Sequence, residues 1–320
     1  MFLYDRVYGK FEINEPVLKA FLKTPALLRL KNISQFGVPN KYYHWKGFSR
    51  YEHSVGVMLL LRKLGTSLEE QLAGLLHDVS TLAFSHVADW VFAEGTKGKE
   101  SYHDQIHESF IKRTEVPKLL EKYGFSLERI LQQNNFTLLE QEVPELCADR
   151  IDYSARQWKD YLSNQEITFC LGSLTNFNGE IVFLDKNAAF KFAHTFLMLQ
   201  TEFWGGEEAV KRYYLFFQTL KRALKIKILK RKDFFKDEKY VMKIISQCED
   251  AEIIKSLKML SKKSVPNLET KKSSKIFKKF RYIDPKVLEN GKLLRLSRLM
   301  PKFGKIINEH RRINKVGVKI

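Results

Sequence analysis

The stretch LLHDVSTLAFSH, residues 75–86, decides the reading of this chain. It lies just after Ser67 and Glu70, a pair with the spacing of a helix-opening capping box, and the apolar positions of QLAGLL recur at helical spacing. His77 and Asp78 therefore sit at the end of an apolar helix, which holds two adjacent side chains while the backbone turns off its axis. Upstream, RYEHSVGV (50–57) begins a helix expected over about 51–64 and stopped by Gly65. Antiparallel pairing of the two helices across the short Gly65-Thr66 turn brings His53 close to His77. Downstream lie YHDQIHES (102–109) and ADRIDYSAR (148–156), the latter placing Asp149 at a helix end from which it can close the site from another side. Imidazole nitrogens mixed with carboxylates suit a first-row divalent ion better than calcium, which wants oxygen alone.

The surroundings bound the class of protein. The 320 residues, 44% hydrophobic, suffice for a substantial core. The longest apolar run, residues 55–61, is far too short to span a bilayer, and the first residues show no secretory signal. Three cysteines, Cys147, Cys170 and Cys248, match no zinc motif, and their odd number argues against a disulfide framework. A cytoplasmic, membrane-free protein is expected. The net charge of +18 is uneven: residues 221–320 hold 30 of the 55 basic and 10 of the 37 acidic residues, a net of +20, leaving −2 for residues 1–220. Such a segment attracts phosphates, in nucleotides or nucleic acid.

The rest of the chain reads as mostly helical. Thr137 and Glu140 repeat the capping signature before CADRIDY. ITFCLGSL and EIVFLD, flanking Asn178-Gly179, read as a β-hairpin at about 166–185. Helices resume at about 188–203 and 207–229, and residues 261–274 read as a loop or linker. No glycine-rich phosphate loop is present.

Taken together, the four segments resemble the HD superfamily of phosphohydrolases, and within it the deoxynucleotide triphosphohydrolase branch. The likeness covers roughly residues 25–160, with an echo in KFRYIDP (279–285). It implies a mainly α fold: a helical HD domain over 1–220 with a small β-hairpin insertion, then a basic C-terminal region over 221–320. The family pattern H…HD…D falls on His53, His77, Asp78 and Asp149, implying a divalent metal (Mn, Fe, Co, Ni or Mg). The resemblance further implies phosphate binding by Arg50, Arg150 and Tyr153, contact between Gln35 and a sugar hydroxyl, and catalytic roles for His86, His107 and Asp149. Two positions depart from the branch. Thr81 stands where a histidine is usual, and Gln157 where an aspartate is usual near the sugar.

The expected activity is metal-dependent hydrolysis of nucleotides, with a dNTP cleaved to deoxynucleoside and triphosphate. The alternatives are a nucleotidase or phosphodiesterase of the same superfamily, and a nucleic-acid-binding HD protein with little catalysis. Expected partners are the nucleotide, nucleic acid bound without sequence preference by the basic region, and further copies of the chain.

Overall fold

The computed structural model describes residues 1–43, 46–92, 102–159, 161–266 and 275–319. Side-chain caps set the helix starts around the site. Ser49 and Glu52 form a reciprocal box that opens the helix Arg50–Lys63, which runs to Leu64 before Gly65 turns the chain at φ +74°. Ser67 Oγ accepts from Glu70 N at the start of Leu68–Leu76. The expected reciprocal half is missing, because the Glu70 carboxylate accepts from Leu138 N at 3.0 Å and so ties this helix to the loop before Asp149.

These two helices pack together, and glycine lets them approach. A Cβ at Gly74 would lie 2.5 Å from Leu61 Cδ1. The helix Ala148–Trp158 crosses the first at Gly56, where a Cβ would lie 1.9 Å from Arg156 Nη2 and 2.0 Å from Asp152 Oδ1. The capping signature at Thr137 and Glu140 opens no helix. Residues 137–147 are turns and irregular chain, with Leu138 N taken by Glu70 and Pro144 interrupting, and helix resumes only at Ala148.

The hairpin forms, but shorter than its sequence suggests. Leu174–Phe177 pairs antiparallel with Glu180–Phe183 through Asn178 (φ +51°) and Gly179 (φ +82°), a two-residue turn that demands left-handed backbone. ITFCLG instead belongs to a helix, Asn164–Gly172, because Ser163 and Glu166 complete a capping box there. The expected helix at about 188–203 is Lys186–Met198 continued by a π turn, Leu199–Trp204, and Glu207–Lys225 follows Gly205-Gly206.

The basic region is built into the body. Lys286–Glu289 joins the hairpin in parallel through Phe183 and Val287, and Lys292–Arg295 completes a four-stranded sheet. Ile283, Val287, Leu296 and Phe303 are buried in the same core as Leu75, Ile151 and Phe192. A second core packs Phe84 and Leu82 against Phe216, Phe234 and Ile253. The expected boundary at 220 falls inside Glu207–Lys225. Of the loop expected at 261–274, residues 267–274 lie outside the described residues. Among the described residues no helix is long and apolar enough to cross a membrane.

Candidate metal centre

The close crossings at Gly56 and Gly74 bring three helix ends to one point. His53 comes from the first turn of Arg50–Lys63, His77 and Asp78 from just beyond Leu68–Leu76, and Asp149 from the first turn of Ala148–Trp158. One nitrogen or oxygen each from His53, His77 and Asp149 lie within 4.8 Å of one another. Asp78 Oδ2 is 3.7 Å from His53 Nε2 and 3.6 Å from His77 Nε2. All four expected ligands therefore converge.

The hydrogen bonds fix which ring nitrogens face the centre. His77 Nδ1–H donates to Gly74 O at 2.7 Å, which turns the lone pair of Nε2 inward. That buried Nε2 has no hydrogen-bond partner among the described residues, yet Asp149 Oδ1 stands 3.6 Å away. His53 Nδ1 bonds Asp152 Oδ2 at 2.7 Å and Nε2 meets Asp149 Oδ1 at 2.9 Å. Burial would drive the His53 pKa down, but these two carboxylates push it up to about 9. Asp78 is buried too, which alone would raise its pKa, but Arg50 and the two imidazoles hold it well below the carboxylate range. A buried acceptor lone pair beside carboxylates that favour positive charge is what a divalent cation satisfies, so the donor set fits a transition ion.

Behind the ligands lies a buried chain of support. Asp152 takes Arg156 Nε at 2.8 Å, and Arg156 Nη2 reaches Asp5 Oδ2 at 2.7 Å. Sequence reasoning missed Asp152, although its spacing from Asp149 in ADRID puts both carboxylates on one helix face. Thr81 is buried and donates to Asp78 Oδ1 at 3.3 Å, so this departure from the branch pattern touches a ligand directly.

The edge of the centre holds the remaining candidates. Arg50 gives Nη1 to Asp78 at 2.5 Å, Nε to Ser85 Oγ at 3.1 Å and Nη2 to Gln35 O at 3.4 Å. The side-chain Oε1 of Gln35 is buried and has no partner among the described residues. The Tyr153 ring lies 6.3 Å from that of His53. Arg150 is engaged elsewhere: Nη1 donates to Glu145 O and Nη2 to Gln141 O, clamping the loop that precedes Asp149. Phe84 and Ser85 have φ of +69° and +44°, strained values for residues with a Cβ, and they launch the helix Ser85–Phe92 that carries His86.

His86, half exposed, bonds Asp89 Oδ2 at 2.9 Å, and His103 Nδ1 bonds the same oxygen at 3.0 Å. Asp89 and His103 were not singled out from the sequence. The signal for His103 was its place four residues before His107 on one helix face. His107 sits apart from His86. Ser80 Oγ donates to His103 O, so it accepts from His107 Nδ1, and burial lowers the His107 pKa to about 4.

The HD domain family model matches residues 50–157. The uncharacterized protein YdhJ of Bacillus subtilis is 34% identical over 314 residues, 96% of this chain and 94% of that protein. The metal-dependent phosphohydrolase cns2 of Cordyceps militaris is 31% identical over 65% of this chain and 62% of its own length. The deoxynucleoside triphosphate triphosphohydrolase SAMHD1 of Gallus gallus is 32% identical over 39% of this chain, a match spanning only 23% of that longer protein.

Proposed function

The chain belongs to the HD-domain superfamily of metal-dependent phosphohydrolases, and from that premise we propose that it cleaves deoxynucleoside triphosphates to deoxynucleoside and triphosphate. The observation that carries the nucleotide reading is the buried Gln35 Oε1, without a partner among the described residues, on a residue whose main-chain oxygen accepts from the Arg50 guanidinium at the edge of the centre. An orphaned acceptor costs free energy unless a donor arrives. A sugar hydroxyl is such a donor, and the guanidinium that bonds the main chain of the same residue suits the phosphate that follows. The partial likeness to a deoxynucleoside triphosphate triphosphohydrolase supports the same choice.

In this reading His53, His77, Asp78 and Asp149 hold the metal. When bound, a divalent ion supplies Lewis acidity to the phosphoryl group and eases deprotonation of the attacking water. Arg50 and Tyr153 stabilise charge on the phosphoryl oxygens. Arg150, through its clamp on Gln141 O and Glu145 O, keeps Asp149 in position and comes to phosphate only if that clamp opens. His86 Nδ1 is held by Asp89, which leaves Nε2 as the atom that passes a proton to the leaving oxygen. The negative charge of a bound phosphate favours the imidazolium needed for that step. His103 braces Asp89 from the other side.

A second reading is a nucleotidase or phosphodiesterase of the same superfamily. It is favoured by Gln157, which is buried and offers no carboxylate. Product analysis on a panel of nucleoside mono-, di-, tri- and cyclic phosphates with Mn, Fe, Co, Ni and Mg separates the two. The proposal expects inorganic triphosphate from dNTPs, and His86→Ala should slow turnover about 10²–10⁴-fold with metal content intact. Orthophosphate from the monophosphates, or a monophosphate from the cyclic phosphate, with no triphosphate released from dNTPs would replace it with the second reading.

A further inference from the structure

The segment carrying Lys278 and Arg281 comes from the basic C-terminal region, yet it is fixed against the body. Lys278 O accepts from Asn314 Nδ2 at 2.9 Å, Asp284 N donates to Pro144 O at 3.1 Å, and Ile283 is buried between them. The anchors hold Lys278 against the helix that carries His86, with Arg281 three residues further on. Lys278 Nζ sits 3.9 Å from the centroid of the Tyr213 ring and 5.2 Å from that of Trp90. Trp90 belongs to the helix of His86 and Asp89, and its ring packs against Tyr213 at 4.7 Å. Tyr213 also lies within electrostatic reach of Asp89, Arg50 and Arg281. Arg281 acts as well on Tyr153, whose ring faces His53. Lys278, packed on the helix of His86 through Trp90, and Arg281, within electrostatic reach of Tyr213 and Tyr153, therefore both lie near the groups that edge the centre.

Among the described residues neither cation is paired with a carboxylate. Burial and the charge of Arg281 push the Lys278 pKa down to about 7, the mark of an ammonium lacking a counter-ion. We infer that Lys278 and Arg281 form a second anion subsite, which receives the phosphates of a nucleoside polyphosphate that lie away from the scissile phosphorus. This rests on the nucleotide reading above and adds to it a selection for polyphosphate over monophosphate, since one phosphate cannot be held at the centre and at a second subsite together.

Calorimetric titration with inorganic tripolyphosphate, on the full chain loaded with Mn, tests the inference by binding alone. The double variant Lys278→Gln, Arg281→Gln should bind at least about tenfold more weakly, and Lys278→Arg should bind within about threefold of the parent. Arg281 is exposed, so Arg281→Gln alone leaves folding intact and should still weaken binding severalfold. Unchanged affinity in the double and single variants would overturn the inference. Kinetics separate the two levels of the account. Nucleoside triphosphate hydrolysis with the same KM in the double variant would remove the subsite and leave the nucleotide reading. Loss of tripolyphosphate binding with no nucleotide hydrolysed by the parent would keep the subsite and remove that reading.

Discussion

His53 has carboxylates on both of its nitrogens, and they have different tasks. Asp149 faces the centre at Nε2, whereas Asp152 at Nδ1 is itself held by Arg156 and lies fully buried. A carboxylate behind a metal-binding imidazole fixes the tautomer and raises its basicity. Asp152→Asn keeps the shape but removes the charge, and the amide can present its N–H₂ where an acceptor is needed. Metal affinity measured by competition with a chelator should fall about 10–100-fold, with helicity by circular dichroism retained. An unchanged affinity would reduce Asp152 to a packing role. At this scale the sequence was informative where residues lie close in the chain. The four side chains of H…HD…D lie together, and Gln35 O accepts from Arg50. Asp89 and His103 were opaque because they meet only through the packing of two separate helices.

Helices are positioned here by what glycine omits. Gly56 lets Ala148–Trp158 approach so closely that Arg156 and Asp152 occupy the space of a side chain. Gly56→Ala must push that pair aside and, with it, the support of His53. The expected cost is about 1–3 kcal/mol of stability, read from the urea midpoint, together with weaker metal binding. Gly65→Ala serves as a contrast: nothing lies near its Cβ position, so it should carry the strain of φ +74° without loss of metal. Equal metal loss in both would contradict the close-approach account. Element boundaries were legible at Ser67, whose hydroxyl caps the helix even though Glu70 turns to Leu138, and misleading where the capping hydroxyl was not engaged or was overlooked. Thr137–Glu140 had the right spacing, but Glu70 and Pro144 claimed the segment, whereas the box at Ser163–Glu166 overrode an apolar run that reads as strand. Tertiary partners decide such cases, and a local pattern cannot name them.

For the whole molecule, the charge asymmetry takes a form that sequence alone did not convey. The basic residues after 220 are not an appendage, since Val287 pairs with the hairpin and Phe303 is buried in the main core. Removing them would take away core as well as charge, so surface substitution is the cleaner test. Lys302, Lys305, Arg312 and Lys315 are exposed on or beside the helix Pro301–Asn314. Changing all four to Gln should weaken sequence-independent nucleic-acid binding and reduce the log–log salt slope by up to about 3–4, while nucleotide hydrolysis is retained. Absence of nucleic-acid binding by the parent at low salt would confine the charge to the polyphosphate subsite. The catalytic expectations depend on the centre holding a metal, and metal analysis of purified protein measures that directly. The parent should carry about one transition ion per chain. Asp78→Ala should carry almost none with its helicity retained, whereas an Asp78→Ala protein as fully loaded as the parent would contradict the assignment.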